Sequence, residues 1–184
     1  MNTPNNTLLN SLNQTQKLSS SKKLAFTAIM SALIAVTTVI AIPLPPPIGS
    51  VNLAPVVIFV TAILLGATVG AVATFFGCAI GFVAGATLGT INAGPFFFIF
   101  LIGLIVARTP MALAAGLLRK KSEIGGMALG VVVETVIFFA IDIFLFGIAG
   151  AIFVLATVID FIYIPIAIGV LLAARRVINA KYLS

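Results

Sequence analysis

Four charged side chains, Arg108, Glu134, Asp142 and Asp160, stand inside stretches of otherwise unbroken hydrocarbon. A charge facing lipid is costly, so such residues mark pairing or function. Counting along a helix at 1.5 Å per residue places Arg108, 11 residues before Arg119, about 16 Å from the nearest basic cluster. Glu134, 13 residues after Lys121, is about 20 Å from it. The two levels agree closely enough to predict an Arg108–Glu134 ion pair, a structural clamp between two helices.

Asp142 and Asp160 fall nearer the opposite surface, with Tyr163 one turn on from Asp160. Asn52 and Asn92 lie in the non-helical breaks that would reach that side, and Phe96 and Phe97 add aromatic faces beside Pro95. A mostly apolar site with a few placed polar groups suits a small molecule. Carboxylates and amides would take ring nitrogens of a flat heterocycle, and Phe or Tyr would stack on it.

Other chemistries lack their parts. The chain has no histidine and one cysteine, Cys78, inside an apolar run. The commonest general base and metal ligand is therefore missing, and no internal disulfide can form. No phosphate loop of the GxxxxGK[ST] type occurs, so no ATP hydrolysis by this chain is expected. An enzyme is not expected, nor a cofactor or a metal.

The composition dictates the setting. Of 184 residues, 61% are hydrophobic and 8% charged, with mean hydropathy +1.29. Soluble domains carry about 25% charged residues, so this much apolar surface needs a membrane. The net charge of +6 does not point to nucleic acid, because the basic residues cluster at the ends of apolar runs.

A crossing helix takes about 20 apolar residues. The apolar runs predict helices over about 22–42, 53–66, 69–91, 95–118, 124–146 and 150–175, after a polar, disordered cytoplasmic tail over 1–21. The turn between the second and third runs falls at Gly66–Gly70. Basic clusters at 17–23, 119–121 and 175–181 should all face the cytoplasm. Four crossings separate the first two clusters and two separate the last pair, so the parity closes. The expected fold is an all-α membrane protein, one bundle of six transmembrane helices with both termini cytoplasmic.

The segment AIPLPPPIGSVNLAP (41–55) then belongs outside, or folded into a protein-lined cavity, because irregular backbone cannot sit in lipid. Its prolines restrict φ and lower the entropy lost when it orders, which suits a lid.

Ala25, Ala28, Ala32 and Ala35, spaced 3, 4 and 3, draw a small-residue stripe down the first run. Such stripes bring membrane helices close, within one chain or against a partner. A second stripe, Gly66, Gly70, Gly77, Gly81, Gly85 and Gly89, fits internal packing.

Three stretches carry a family resemblance: KKLAFTAIMSALIAV, IPLPPPIGSVNLAPVVIFVTAILLGATVGAVATFFG, and NAGPFFFIFLIGLIVARTPMALAAGLL. They resemble the substrate-binding S components of energy-coupling factor (ECF) vitamin transporters, the riboflavin-type group in particular, over about residues 22–176. The resemblance implies six helices in a prokaryotic plasma membrane and a vitamin or related micronutrient bound in the outer half. It implies closure by the loop after the first helix. It further implies docking on a membrane T component through an AxxxA stripe, here Ala28 and Ala32. Two cytoplasmic ABC ATPases supply the work, and the S component topples to deliver its ligand. Members often carry a lysine in the fourth helix, where this chain has Ile102. The alternative class is a stand-alone small solute or proton-coupled transporter or channel, with Arg108, Glu134 and Asp160 as a relay.

Overall fold

The computed structural model describes residues 20–43, 50–91, 94–148 and 155–183. In chain order the elements are α1 (Ser20–Val39), β1 (Ala41–Pro43), β2 (Ser50–Asn52), α2 (Ala54–Leu65), α3 (Ala67–Thr87), a 3-10 turn (Gly94–Phe96) leading into α4 (Phe97–Leu118), α5 (Glu123–Phe146), the short α6 (Leu155–Val158), a second 3-10 turn (Ile159–Ile162), and α7 (Tyr163–Leu183). The first 19 residues of the polar tail, Leu44 to Gly49 of the proline segment, and Asn92 lie outside the described residues. Ser20 and Ser21, assigned to the tail on sequence, form the start of α1.

Local chemistry sets the boundaries. Pro55 opens α2, where its missing N–H would be unpaired anyway. Gly66, at φ 100°, makes the turn into α3, a backbone conformation that a side chain would strain. Ser122 caps α5 by accepting from the Gly125 amide at 3.0 Å, and Glu123 complements the helix dipole in the first turn. Pro165 explains the interruption before α7. Its ring crowds the carbonyl four residues back, at Phe161, and it cannot donate to it, which favours the 3-10 turn over Ile159–Ile162. The single helix expected over 150–175 is therefore a broken one over its described part.

The helices pack through small residues. A Cβ on Gly77 would sit 2.6 Å from the Ile34 Cβ, and one on Gly81 would sit 2.7 Å from the Ala35 carbonyl oxygen. Those two contacts advance together along both chains, so α1 and α3 run parallel. A Cβ on Gly116 would come 2.4 Å from the Ala67 Cα, fixing the end of α4 against the start of α3. Between these backbones lies a core of Ile34, Ile58, Phe59, Met111, Met127, Val131 and Leu171, all essentially unexposed. Buried hydroxyls cost little here: Thr38, Thr61 and Thr74 donate back to the carbonyls four residues earlier. Large apolar side chains such as Phe76, Phe98, Phe144 and Ile148 point outward, as suits helices solvated by lipid.

Four segments, Ser20–Val39, Ala67–Thr87, Gly94–Leu118 and Glu123–Phe146, are long and apolar enough to cross a membrane. With this composition the chain is an all-α, multi-pass membrane protein. One end of the bundle gathers the basic residues. Arg119 Nη1 donates to the last carbonyls of α2, Ile63 and Leu64, both at 3.2 Å. Arg175 of α7 grips both carboxylate oxygens of Glu123, with Nη1 to Oε2 at 3.2 Å. Because α1 runs parallel to α3, Lys22 and Lys23 belong to this same end.

α2 is only 12 residues, about 18 Å long. What completes its path toward the far end is the antiparallel hairpin β1–β2, paired Ala41↔Asn52, Ile42↔Val51 and Pro43↔Ser50. The junction of the hairpin with α2, at Asn52, thus lies at the level of Arg108 on α4.

Candidate functional site

At the open end of the hairpin, where β2 runs into α2, Asn52 accepts from the Ala54 amide at 3.1 Å, an Asx turn that launches the helix. The same Oδ1 accepts from Arg108 Nη1 at 3.2 Å. Arg108 sits halfway along α4, and its Nε donates to Glu134 Oε1 at 3.1 Å, halfway along α5. One guanidinium therefore ties the hairpin to two helices.

A fourth element joins through the helix break. Asp160, carried on the 3-10 turn, lies within electrostatic reach of both Glu134 and Arg108, and Tyr163 within reach of Asp160 and Arg108. Arg108 is 7% exposed, Glu134 0% and Asp160 5%. In that setting an ion pair holds only when its geometry is good and its remaining lone pairs are met. Among the described residues Thr109 Oγ1 and Glu134 Oε2 face no donor from an ionised or neutral side chain, and the Asp160 carboxyl lies close enough to Glu134 to share a hydrogen bond when one of the two carries a proton.

By depth along the chain, Arg108 and Glu134 form an inner clamp apart from an outer site of Asn52, Asp160 and Tyr163. The structure draws these five into one cluster, because the hairpin descends to the level of Arg108. Other candidates stay apart from it. Asp142 is buried on α5 but two turns beyond Glu134. Phe96 packs edge-on against Phe100 and Phe146, and Phe97 edge-on against Phe98 and tilted against Phe82. These rings lie about 16 Å from Arg108 along α4. They form an aromatic rim at the end away from the basic residues. Asn92 falls outside the described residues.

Cys78, on sequence a lone cysteine in an apolar run, is fully buried within reach of Arg108 and Glu134. Nothing in its apolar sequence context signals this neighbourhood. Pro165, by contrast, was a legible signal for the break that presents Asp160.

The alanine stripe divides. Ala25, Ala28 and Ala32 are exposed on α1, whereas Ala35 is buried against Gly81 of α3 and serves packing inside this chain.

The family model described as ECF-type riboflavin transporter, S component, matches residues 18–176, most of the chain. The chain belongs to this family. Comparison with curated proteins and with solved structures gives no match. Membership makes this S component a transport protein of the membrane, from a family of vitamin-uptake subunits rather than of enzymes. In this S component the polar cluster is buried where hairpin, α4, α5 and the break before α7 converge.

Proposed function

We propose that this S component is the substrate-binding subunit of an ECF-type ABC importer in a prokaryotic plasma membrane. It crosses the membrane six times with both termini cytoplasmic, captures a vitamin or related micronutrient from outside, and hands it on through a T component and two cytoplasmic ATPases. A riboflavin-like flat heterocycle is the first ligand to test, since the family's name carries it. Asn52, Arg108, Glu134, Asp160 and Tyr163 hold the polar part of the ligand, and the outward path passes Asn92, Phe96, Phe97 and Asp142. Ala25, Ala28 and Ala32 present the docking surface for the T component.

The observation that carries this reading is the Asn52–Arg108 contact, given the family. It links the hairpin that would close over a ligand to the only buried charges of the described bundle centre. Opening the hairpin would break the Asn52–Arg108 contact and uncover Arg108 beside Glu134. The experiment is ligand identification: purified protein is denatured and the released small molecules are analysed by mass spectrometry against a vitamin panel. A vitamin at near-stoichiometric amount is expected; its absence, together with no binding of any panel member, would refute the reading.

A second reading rests on the same buried charges. A stand-alone transporter would use Arg108, Glu134 and Asp160 as a proton relay. Solute accumulation in proteoliposomes holding this chain alone, driven by a pH gradient, would favour it.

A further inference from the structure

We propose that α2 is a strut that holds the hairpin in place over the ligand site, and that Arg119, at the basic end of the bundle, is the residue that positions it. That the hairpin covers a ligand rests on the reading of this chain as a solute-binding subunit; the strut itself rests on contacts with α4.

Two arginines of α4 grip α2, one at each end. Arg108 Nη1 donates to Asn52 Oδ1 at 3.2 Å, just ahead of the first turn, and Arg119 Nη1 donates to the Ile63 and Leu64 carbonyls at 3.2 Å, in the last turn. The arginines stand 11 residues apart, three turns of helix, so both leave α4 on one face. These contacts span 56, 56 and 55 residues of chain. With so constant an offset α2 and α4 run parallel, and the rise between the arginines, about 16 Å, matches the rise between the two gripped points.

Arg119 supplies donors that the helix itself lacks. The last carbonyls of a helix have no partner within it. Ala62 is met by the Gly66 amide at 3.0 Å, and Ile63 and Leu64 are met by Arg119. A cation at this end also complements the helix dipole. The guanidinium fills the space beside Gly66, 3.1 Å from where a Cβ would stand, and the Gly116 backbone presses on Ala67 just beyond. The end of α4 thus holds both sides of the α2–α3 turn.

α2 can pass a displacement from that end to the site. Nine of its 12 residues are buried, so it is held within the bundle on nearly every side. Phe59, at its middle, lies so near Gly130 of α5 that a Cβ there would come within 3.3 Å of the ring. Only Leu53 separates α2 from β2, and Asn52 is the last residue of that strand. Loss of Arg119 would strand two carbonyls, release the last turn of α2 from α4, and let the helix slide, drawing Asn52 off Arg108.

Double electron–electron resonance tests this on the full chain in lipid nanodiscs. Nitroxides are placed at Ile42→Cys on the hairpin and Phe144→Cys on α5, both exposed positions, in a Cys78→Ala background. The distance distribution should shift and broaden in Arg119→Met and in the milder Arg119→Gln. It should return in Arg119→Lys, whose ammonium can still donate to helix-end carbonyls. Riboflavin titrated into the unlabelled chain should bind Arg119→Met about tenfold more weakly, the worth of one charge-assisted hydrogen bond, and Arg119→Lys nearly as the parent. Gly126→Ala, which crowds the Ala115 carbonyl at the same end of the bundle, controls for general loosening and should leave the hairpin distance unmoved. An unmoved hairpin in every Arg119 variant would make Arg119 a helix cap alone and overturn the inference, with the solute-binding reading untouched. An equal change in Gly126→Ala would overturn it as well. Failure of the parent chain to bind any B vitamin would overturn the solute-binding reading, while the resonance measurement would still decide the strut.

Discussion

Arg108 and Glu134 meet at 3.1 Å in the centre of the bundle, with Glu134 wholly buried. Removing one partner of such a pair strands the other, at a cost of about 3–5 kcal/mol, whereas replacing both by apolar residues is often neutral. Glu134→Ala should therefore lower the thermal midpoint markedly, and Arg108→Met with Glu134→Leu should recover most of the loss while abolishing ligand binding. A double variant no more stable than the single would show that the pair is not coupled.

Asn52 does two jobs with one oxygen, closing the Asx turn to Ala54 and holding Arg108. Asn52→Ala should cost about 1–3 kcal/mol, one neutral and one charge-assisted hydrogen bond. Asn52→Asp keeps the acceptor and should unfold near the wild-type temperature. If Asn52→Ala leaves both stability and ligand affinity unchanged, the hairpin is not anchored through this side chain.

Glycine positions separate close packing from open surface. A Cβ at Gly116 would press to 2.4 Å from the Ala67 backbone, whereas one at Gly169 would meet nothing within 4 Å. Overpacking costs about 1–3 kcal/mol. Gly116→Ala should thus destabilise by that amount, and Gly169→Ala should be neutral or slightly favourable, as scored by unfolding in detergent. Equal effects would mean that α3 and α4 are not in backbone contact.

On α1, Ala28 and Ala32 are exposed and Ala35 is buried. Ala28→Trp and Ala32→Trp should leave unfolding and ligand binding intact while eliminating capture of the T component in a pull-down. Ala35→Trp should damage the fold itself. Undiminished capture by both exposed variants would assign the stripe to lipid.

Sidedness can be read with cysteine chemistry, since Cys78 is the chain's one thiol and is buried. In a Cys78→Ala background, Thr90→Cys should react with an impermeant maleimide added to intact cells, and Lys121→Cys only in inverted vesicles. Both residues are exposed, at opposite ends of the bundle. Labelling from the reverse sides would invert the topology and place the hairpin toward the cytoplasm.

How far the sequence reached follows from what hydropathy measures. Unbroken apolar runs give helix positions along the chain, because an uncompensated peptide group in lipid forces helical pairing wherever the run is long enough. Counting residues from a basic cluster also gives depth, which is how Arg108 and Glu134 could be assigned one level. Neither quantity says which way a side chain faces around its helix. In lipid most apolar residues are interchangeable on either face, so the inward faces of Cys78 and Ala35 left no signature. Nor could the depth of the hairpin be counted, since extended backbone between prolines has no fixed rise through a bilayer. By itself, then, the sequence determined a predominantly helical membrane chain, the small residues available for close helix packing and the identity of its few buried charges. Only the tertiary structure decided that Asn52, Arg108, Glu134 and Asp160 are neighbours: contacts spanning 26 and 56 residues depend on how helices pack around one another, and on a proline-induced break that turns Asp160 toward the pair.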